Sequence, residues 1–117
     1  MPLITVHTSA APPSEADSAS LVLELSSTLA RALGKPESYV MTCLAPTSRM
    51  TFAGTSEPAC LVEVRSIGGL SATSARGLSD TICALIRDRL GVPTSRTYVV
   101  CADVPAPLWG FDGTTFG

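Results

Sequence analysis

Hydrophobic positions in the chain follow the spacing of amphipathic helices in two places. Leucines recur every fourth residue over 21–33, and Leu and Ile do the same over 78–90. This spacing puts apolar side chains on one face of a helix. Each series is followed by glycine and, two residues later, by proline, a combination that ends a helix. The pattern predicts one helix that ends at Gly34 and a second over about 74–90.

Strand-like segments flank both predicted helices. The segments rich in β-branched and aromatic residues are 1–8, 39–44, 59–67 and 97–102. Such composition between turn residues predicts strands. Ser14, with Asp17 three residues later, resembles a capping box at the start of the first helix. The predicted order is therefore strand, helix, strand, twice over.

The two halves of the chain repeat one pattern. A shift of 57 residues superposes Leu21 on Leu78, Leu33 on Leu90 and the glycines that end the helices. Each half is predicted to be a β-α-β unit with parallel strands and a right-handed crossover. The predicted fold class is α+β, with two pseudo-symmetric units forming one four-stranded sheet and both helices on one of its faces. Residues 1–117 are expected to form a single domain.

The second face of this predicted sheet is apolar and has no helix to cover it. The simplest cover is the same face of further copies of the chain, which predicts a closed symmetric homo-oligomer. Pockets are common at such boundaries, so the expected active site lies between subunits.

The first strand has proline in the second position. Removal of Met1 would leave a secondary amine on Pro2, directly before an apolar run. Withdrawal from water disfavours the charged form of an amine and lowers its pKa, so Pro2 in an apolar pocket would be a neutral base near pH 7. The structural alternative is that Pro2 only starts an edge strand, where its missing N–H costs nothing.

Composition and charge exclude several classes of function. The net charge is −2, and only 15% of residues are charged against 45% hydrophobic. Because no basic stripe is present to hold phosphates, nucleic acid is not an expected partner. The sequence has neither an apolar run of about 18 residues nor a classical signal peptide, so we expect no membrane association and a cytoplasmic location.

The cysteines do not form a metal-binding or redox motif. They stand at 43, 60, 83 and 101, no two of them in a Cys-x-x-Cys spacing, and His7 is the sole imidazole. The sequence therefore predicts neither a metal site nor a cofactor. We expect four reduced and mostly buried thiols.

A set of short motifs spread over the whole chain points to one known family. They are Pro2 after Met1, Leu33-Gly34-Lys35-Pro36, Ser56-Glu57-Pro58, Ser66-Ile67-Gly68, Tyr98 and Thr115-Phe116. In this order and spacing the sequence resembles the macrophage migration inhibitory factor family of the tautomerase superfamily. The resemblance implies a homotrimer with three sites at subunit interfaces. It also implies a keto–enol tautomerase for phenylpyruvate- and dopachrome-type substrates, with Pro2 as the base after excision of Met1.

The resemblance assigns polar roles to three residues. Lys35 would hold the substrate carboxylate or polarise the carbonyl, although a lysine here could instead be solvated and complement the helix dipole. The backbone N–H of Ile67 would donate to substrate. Tyr98, contributed by the neighbouring subunit, would donate its hydroxyl to the carbonyl or enol oxygen.

The remaining site residues are apolar. Phe111 and Phe116 would form the wall that receives an aryl ring, the alternative being ordinary packing of the tail. Val100 stands where the family commonly has asparagine, so one substrate hydrogen bond should be missing. Trp109 precedes Gly110, whereas vertebrate members have tryptophan after that glycine, which should alter the shape of the pocket.

Other functions stay open at this point. The chain could be a cytokine-like trimer, secreted without a signal peptide, that engages a host cell-surface receptor and has weak or vestigial activity. A purely structural trimer with an idle pocket is a third reading. Thiol–disulfide exchange is not expected, because only Cys60 follows Glu57-Pro58 and a lone thiol cannot form the required intramolecular disulfide.

Overall fold

The computed structural model describes residues 1–11, 13–46 and 49–117, which form two α-helices, a four-stranded sheet and a two-stranded ribbon. The main elements are β1 (Pro2–Thr8), α1 (Glu15–Leu33), β2 (Met41–Ala45), β3 (Cys60–Ser66), α2 (Ala72–Leu90) and β4 (Thr97–Asp103). The ribbon is β5 (Gly110–Phe111) with β6 (Thr114–Thr115), and short 3-10 turns lie at Glu37–Tyr39, Thr94–Arg96 and Ala106–Leu108. This architecture confirms the predicted α+β class.

The sheet joins two β-α-β units through their first strands. Its order is β2-β1-β3-β4, with β1 parallel to β2 and β3 parallel to β4. The central pair β1 and β3 is antiparallel, and Pro2 lies opposite Ser66 at one end of it. The parallel pairing predicted within each half is therefore confirmed.

Local signals set the ends of both helices. The Ser14 hydroxyl accepts from the Asp17 N–H at 3.2 Å at the start of α1, and Gly34 ends that helix in the left-handed conformation (φ 62°). The start of α2 was predicted about two residues late. It follows a full capping box in which Ser71 and Ser74 bond each other's backbone N–H.

The core lies between the helices and one face of the sheet. The sheet contributes Ile4, Val6, Val62 and Val64, and the helices contribute Leu21, Leu25, Leu29, Leu78, Ile82 and Ile86, all at most 1% exposed. These are the apolar helix faces that the leucine and isoleucine spacing predicted.

The opposite face of the sheet carries no helix, as predicted, but it is less apolar than expected. Met41, Tyr98 and Val100 are more than half exposed on this open face. Glu63 and Arg65 lie among them and form an exposed ion pair at 3.5 Å. The strand period explains the mixture, since the alternate residues of β3 point away from the core.

All four strands differ slightly from the predicted ranges. Those predicted at 1–8 and 97–102 are Pro2–Thr8 and Thr97–Asp103, each one residue different at one end. The strand predicted at 39–44 is Met41–Ala45, because Glu37–Tyr39 closes a 3-10 turn in which the Tyr39 N–H donates to Pro36 O at 3.2 Å. The strand predicted at 59–67 is Cys60–Ser66. Neither helix is long and apolar enough to cross a membrane in the part of the chain that the structure describes.

Candidate active site

A cavity of about 410 Å³ opens beside the start of β1. Pro2 is buried in its wall, on the face of β1 that also carries Ile4 and Val6. The other lining residues are Met1, Leu3, Ser38, Tyr39, Val40, Met41, Trp109, Gly110, Phe111 and Phe116. The strand pattern buries Pro2 because every second residue of β1 faces inward.

Aromatic rings form one wall of the cavity. Phe111 stacks on Phe116 with ring centroids 5.3 Å apart and an interplanar angle of 11°. Tyr39 meets both rings edge to face, at 5.8 Å and 6.0 Å. Sequence reasoning missed Tyr39, because it was assigned to a strand. The signal that could have found it is its place three residues after Pro36 of the Gly-Lys-Pro turn.

Lys35 lies beside this cavity, in the turn that ends α1. Its backbone N–H donates to Ala30 O at 3.0 Å, and its Nζ donates to Ile67 O at 3.0 Å. The side chain is half-buried. Lys35 is thus held against the segment that follows β3 and is not a freely solvated lysine of the helix end.

The segment from Ile67 to Gly69 is fixed from several sides. The Ile67 N–H donates to Met1 O at 3.4 Å, and the Gly68 N–H donates to Asp103 Oδ1 at 2.8 Å. Both glycines have positive φ, and a Cβ on Gly69 would lie 3.4 Å from Lys35 Cε. The positive φ favours glycine at both positions, and the Lys35 side chain packs at van der Waals distance from Gly69. Sequence reasoning did not identify Asp103.

The terminal amine in this structure belongs to Met1. Its pKa lies below the usual value, mainly because burial removes water from the charged form, and secondly because Lys35 adds a positive charge nearby. The surroundings of the amino terminus therefore favour a neutral amine.

Tyr98 and Val100 do not reach this cavity in the same chain. Both lie on the open face of β4, which β3 separates from β1. Tyr98 pairs with Leu61 near the start of β3, while Pro2 pairs with Ser66 at its end. One chain therefore brings together Pro2, Phe111 and Phe116, with Lys35 and Ile67 beside them.

The thiols are less buried than expected. Cys60 is buried, Cys83 and Cys101 are partly buried, and Cys43 is exposed on the open face. Burial, with a smaller effect of Cys83, raises the pKa of the Cys60 thiol to about 12, so this thiol stays protonated. The prediction of mostly buried cysteines therefore holds for Cys60 and in part for Cys83 and Cys101, and it fails in the single chain for Cys43, which falls on an outward position of β2.

Comparison with known proteins identifies the class of protein to which this fold and cavity belong. The family model described as "Macrophage migration inhibitory factor (MIF)" matches residues 1–117. Macrophage migration inhibitory factor of Rattus norvegicus is 35% identical over 116 residues, 99% of each chain. The Brugia malayi homologue is 32% identical over 117 residues, 100% of each chain.

Solved structures agree with these sequence matches. A macrophage migration inhibitory factor homologue from Prochlorococcus marinus superposes with a TM-score of 0.92 at 50% identity, covering 98% of this chain and 99% of that one. The Toxoplasma gondii protein gives a TM-score of 0.92 at 30% identity, with 97% and 99% covered. The chain belongs to the macrophage migration inhibitory factor family, within the tautomerase superfamily.

Proposed function

We propose that the protein is a keto–enol tautomerase for phenylpyruvate- and dopachrome-type substrates, with Pro2 as general base after Met1 is removed. The observation that carries the proposal is the burial of Pro2 in the wall of an aromatic-lined cavity. Family membership supports isomerase chemistry of this general type.

Loss of Met1 would create the base. With Met1 attached, the Pro2 nitrogen is a tertiary amide without a basic lone pair. After removal it is a secondary amine beside the same Lys35 charge and in a more buried position than the Met1 amine. Desolvation and that charge both favour the neutral amine, which can take a proton from the carbon next to the keto group.

Lys35 and Ile67 would stabilise negative charge on the substrate. Removal of Met1 also removes the carbonyl that now accepts from the Ile67 N–H, so this donor becomes available to a substrate oxygen. Lys35 Nζ is held at Ile67 O and supplies a cation for the carboxylate or the developing enolate. No cofactor is needed for this proton transfer.

The aromatic wall would select the substrate. Stacked Phe111 and Phe116, together with Tyr39, offer apolar surface suited to an aryl group. An aryl α-keto acid satisfies both this wall and the Lys35 cation. Val100 offers no side-chain hydrogen bond, so we expect a substrate preference different from that of relatives with asparagine there.

A homotrimer would complete the site. Members of this family are typically homotrimers, and Tyr98 lies exposed on the open face, where a neighbouring subunit would meet it. Native mass spectrometry should give three times the mass of one chain, which is 12.1 kDa less the mass of Met1. Cys43 is exposed in the single chain and would be covered by the neighbouring subunit in the trimer, so iodoacetamide should modify it slowly in the native protein. A Cys43→Ser variant shows which part of the labelling belongs to Cys43. Rapid labelling of native Cys43 would contradict a trimer in which the open face is covered.

The deciding experiment compares intact mass and phenylpyruvate turnover for the wild type and Pro2→Gly. We expect a wild-type mass without Met1 and a loss of kcat/KM of about 10²- to 10⁴-fold in the variant. Pro93→Gly is the control for proline loss, because Pro93 lies outside the cavity residues. A mass that retains Met1, or equal turnover in Pro2→Gly, would refute the proline-base mechanism.

The names of the relatives favour a second candidate, a signalling protein. The rat relative is named for an effect on macrophage migration. A cytokine-like trimer would engage a host cell-surface receptor independently of proton transfer. Folded Pro2→Gly protein separates the candidates, since a signalling role predicts that it still alters macrophage migration after turnover is lost.

A further inference from the structure

Arg96 binds a loop that is distant from it in sequence. It ends the 3-10 turn Thr94–Arg96, two residues before Tyr98. Its guanidinium donates to four carbonyl oxygens, of Pro58 (Nε, 2.9 Å), Phe52 (Nη1, 3.1 Å), Glu57 (Nη2, 2.9 Å) and Thr55 (Nη2, 3.4 Å). Only a planar, forked cation can reach four acceptors in this way, so lysine is not an equivalent residue.

The loop held by Arg96 contains a tight turn. Phe52 and Thr55 exchange two backbone hydrogen bonds, each 3.0 Å long. Between them, Ala53 and Gly54 have positive φ, of 53° and 75°. A non-glycine residue in the left-handed region is disfavoured, so the turn needs external stabilisation. The Arg96 bonds to Phe52 O and Thr55 O provide it at both ends.

The ring of Phe52 connects this loop to Tyr98. Arg96 Cζ lies 5.3 Å from the centroid of the Phe52 ring, a cation–π contact. The Phe52 ring in turn meets the Tyr98 ring edge to face, with centroids 5.1 Å apart and an angle of 68°. Tyr98 is 61% exposed, so this contact restrains a side chain that otherwise has wide freedom.

We propose that Arg96 is a positioning residue for Tyr98 and acts through Phe52. Four hydrogen bonds fix the loop, the loop fixes the Phe52 ring, and the ring fixes the direction of the Tyr98 hydroxyl. For catalysis this inference rests on the proposed function, in which that hydroxyl donates to substrate in the neighbouring subunit's site. Arg96 itself does not touch substrate.

The test combines a spectroscopic and a kinetic readout. The chain has two tyrosines, so 3-fluorotyrosine labelling gives two fluorine resonances, which Tyr98→Phe assigns. In Phe52→Leu and Arg96→Lys we expect the Tyr98 resonance to shift and narrow as the ring gains motion. Arg87→Lys is the matched control, because Arg87 is exposed and its guanidinium pairs with the adjacent Asp88.

Turnover of phenylpyruvate is then measured in a double-mutant cycle. Phe52→Leu should lower kcat about three- to tenfold, as expected for loss of one aromatic contact, with little change in KM. In the Tyr98→Phe background the same substitution should cause no further loss, because the hydroxyl that it misplaces is already absent. Phe52→Leu keeps the Arg96 hydrogen bonds available, so it remains informative if Arg96→Lys does not fold.

The outcomes separate this inference from the proposed function. If Phe52→Leu lowered kcat equally in the wild type and in Tyr98→Phe, the proposed role of Arg96 would be overturned. The same holds if the Tyr98 resonance were unchanged in both Phe52→Leu and Arg96→Lys. Absence of wild-type turnover would refute the tautomerase proposal, and the fluorine resonances would still decide whether Arg96 and Phe52 hold Tyr98.

Discussion

The two β-α-β units share one frame but differ where the candidate chemistry lies. Each bound of α2 lies 57 residues after the matching bound of α1 (Glu15 to Ala72, Leu33 to Leu90). Both helices end in a left-handed glycine, and a 3-10 turn follows each at the same distance. This shared arrangement of helices, glycines and turns is the frame, and it forms the core and the sheet in both units. Residues that differ between equivalent positions are therefore candidates for a role in the site.

The position after the capping glycine shows the clearest difference. The first unit has Lys35, whose Nζ bonds Ile67 O, and the second has Val92, which is 0% exposed in the core. At the strand starts, Pro2 follows the terminal residue, whereas Ala59 lies within the chain and is 2% exposed. At these two pairs of equivalent positions, the first unit has Pro2 next to the terminal residue and the Lys35 cation, whereas the second unit has two buried apolar residues.

A second difference follows at the end of the 3-10 turns. Tyr39 in the first unit contacts the tail rings of Phe111 and Phe116. Arg96 in the second unit holds the loop that contains Phe52. Each unit thus uses this position to fix an irregular segment, one that lines the cavity and one that contacts Tyr98.

The largest predicted effect comes from giving the second unit the lysine of the first. Val92→Lys places an ammonium at a fully buried position, so the free energy of unfolding should fall by about 3–5 kcal/mol, the scale of an uncompensated buried charge. Urea unfolding followed by circular dichroism measures it. Val92→Ala controls for lost packing, and similar losses in the two variants would argue that the charge is tolerated.

The cores of the two units should respond alike. Leu21 and Leu78 are equivalent positions and are 0% and 1% exposed. Replacing either with alanine leaves a cavity and should cost about 3 kcal/mol. The measurement is again urea unfolding, with exposed Leu23→Ala as the control. A difference of more than about 2 kcal/mol between the two variants would show that the units are not equivalent in packing.

Loss of the lysine from the first unit should affect activity and its pH dependence. Under the proposed mechanism, Lys35→Met should lower kcat/KM about 100-fold, as for loss of one group that stabilises developing charge. Lys35 also lowers the pKa of the Met1 amine, second to desolvation. Under the proposed mechanism the same positive charge lies beside the Pro2 amine, so without it the pKa of that amine should rise and the acidic limb of the kcat/KM profile should move to higher pH.

The control for this prediction is Arg31→Met. Arg31 is exposed in the last turn of the same helix. Loss of Arg31 should leave the acidic limb of the kcat/KM profile at the same pH. If the acidic limb also stayed in place in Lys35→Met, the lysine would not influence the pKa of the catalytic amine.

The sequence predicted the helices and the strand pairing of both units well, because these depend on local and periodic signals. Leucine spacing and the glycines at 34 and 91 located both helices, and the repeat gave the parallel pairs. Tyr39 was misassigned because its high strand propensity was outweighed by a turn of i to i+3 bonds after Pro36.

Contacts between distant segments could not be predicted from such signals. Asp103 meets Gly68 across 35 residues, and Arg96 meets Phe52 across 44. Neither pair has a periodic or motif signature, since each depends on how a loop crosses the end of the sheet. Tyr98 was assigned through family resemblance alone, because its proposed partner atoms belong to another subunit.

The smallest predicted effect concerns the glycines that end the two helices, where the same substitution should change stability equally but turnover unequally. Gly34→Ala and Gly91→Ala each force a Cβ into a left-handed position. Beyond the adjacent residues, no heavy atom of the described chain lies within 4 Å of that Cβ, so the cost is backbone strain of about 1 kcal/mol in both. Urea unfolding should give equal losses. Turnover should differ, because relief of strain at Gly34 displaces Lys35 from Ile67 O, whereas the same change at Gly91 moves only Val92. Equal turnover in the two variants would mean that the position of Lys35 is not critical.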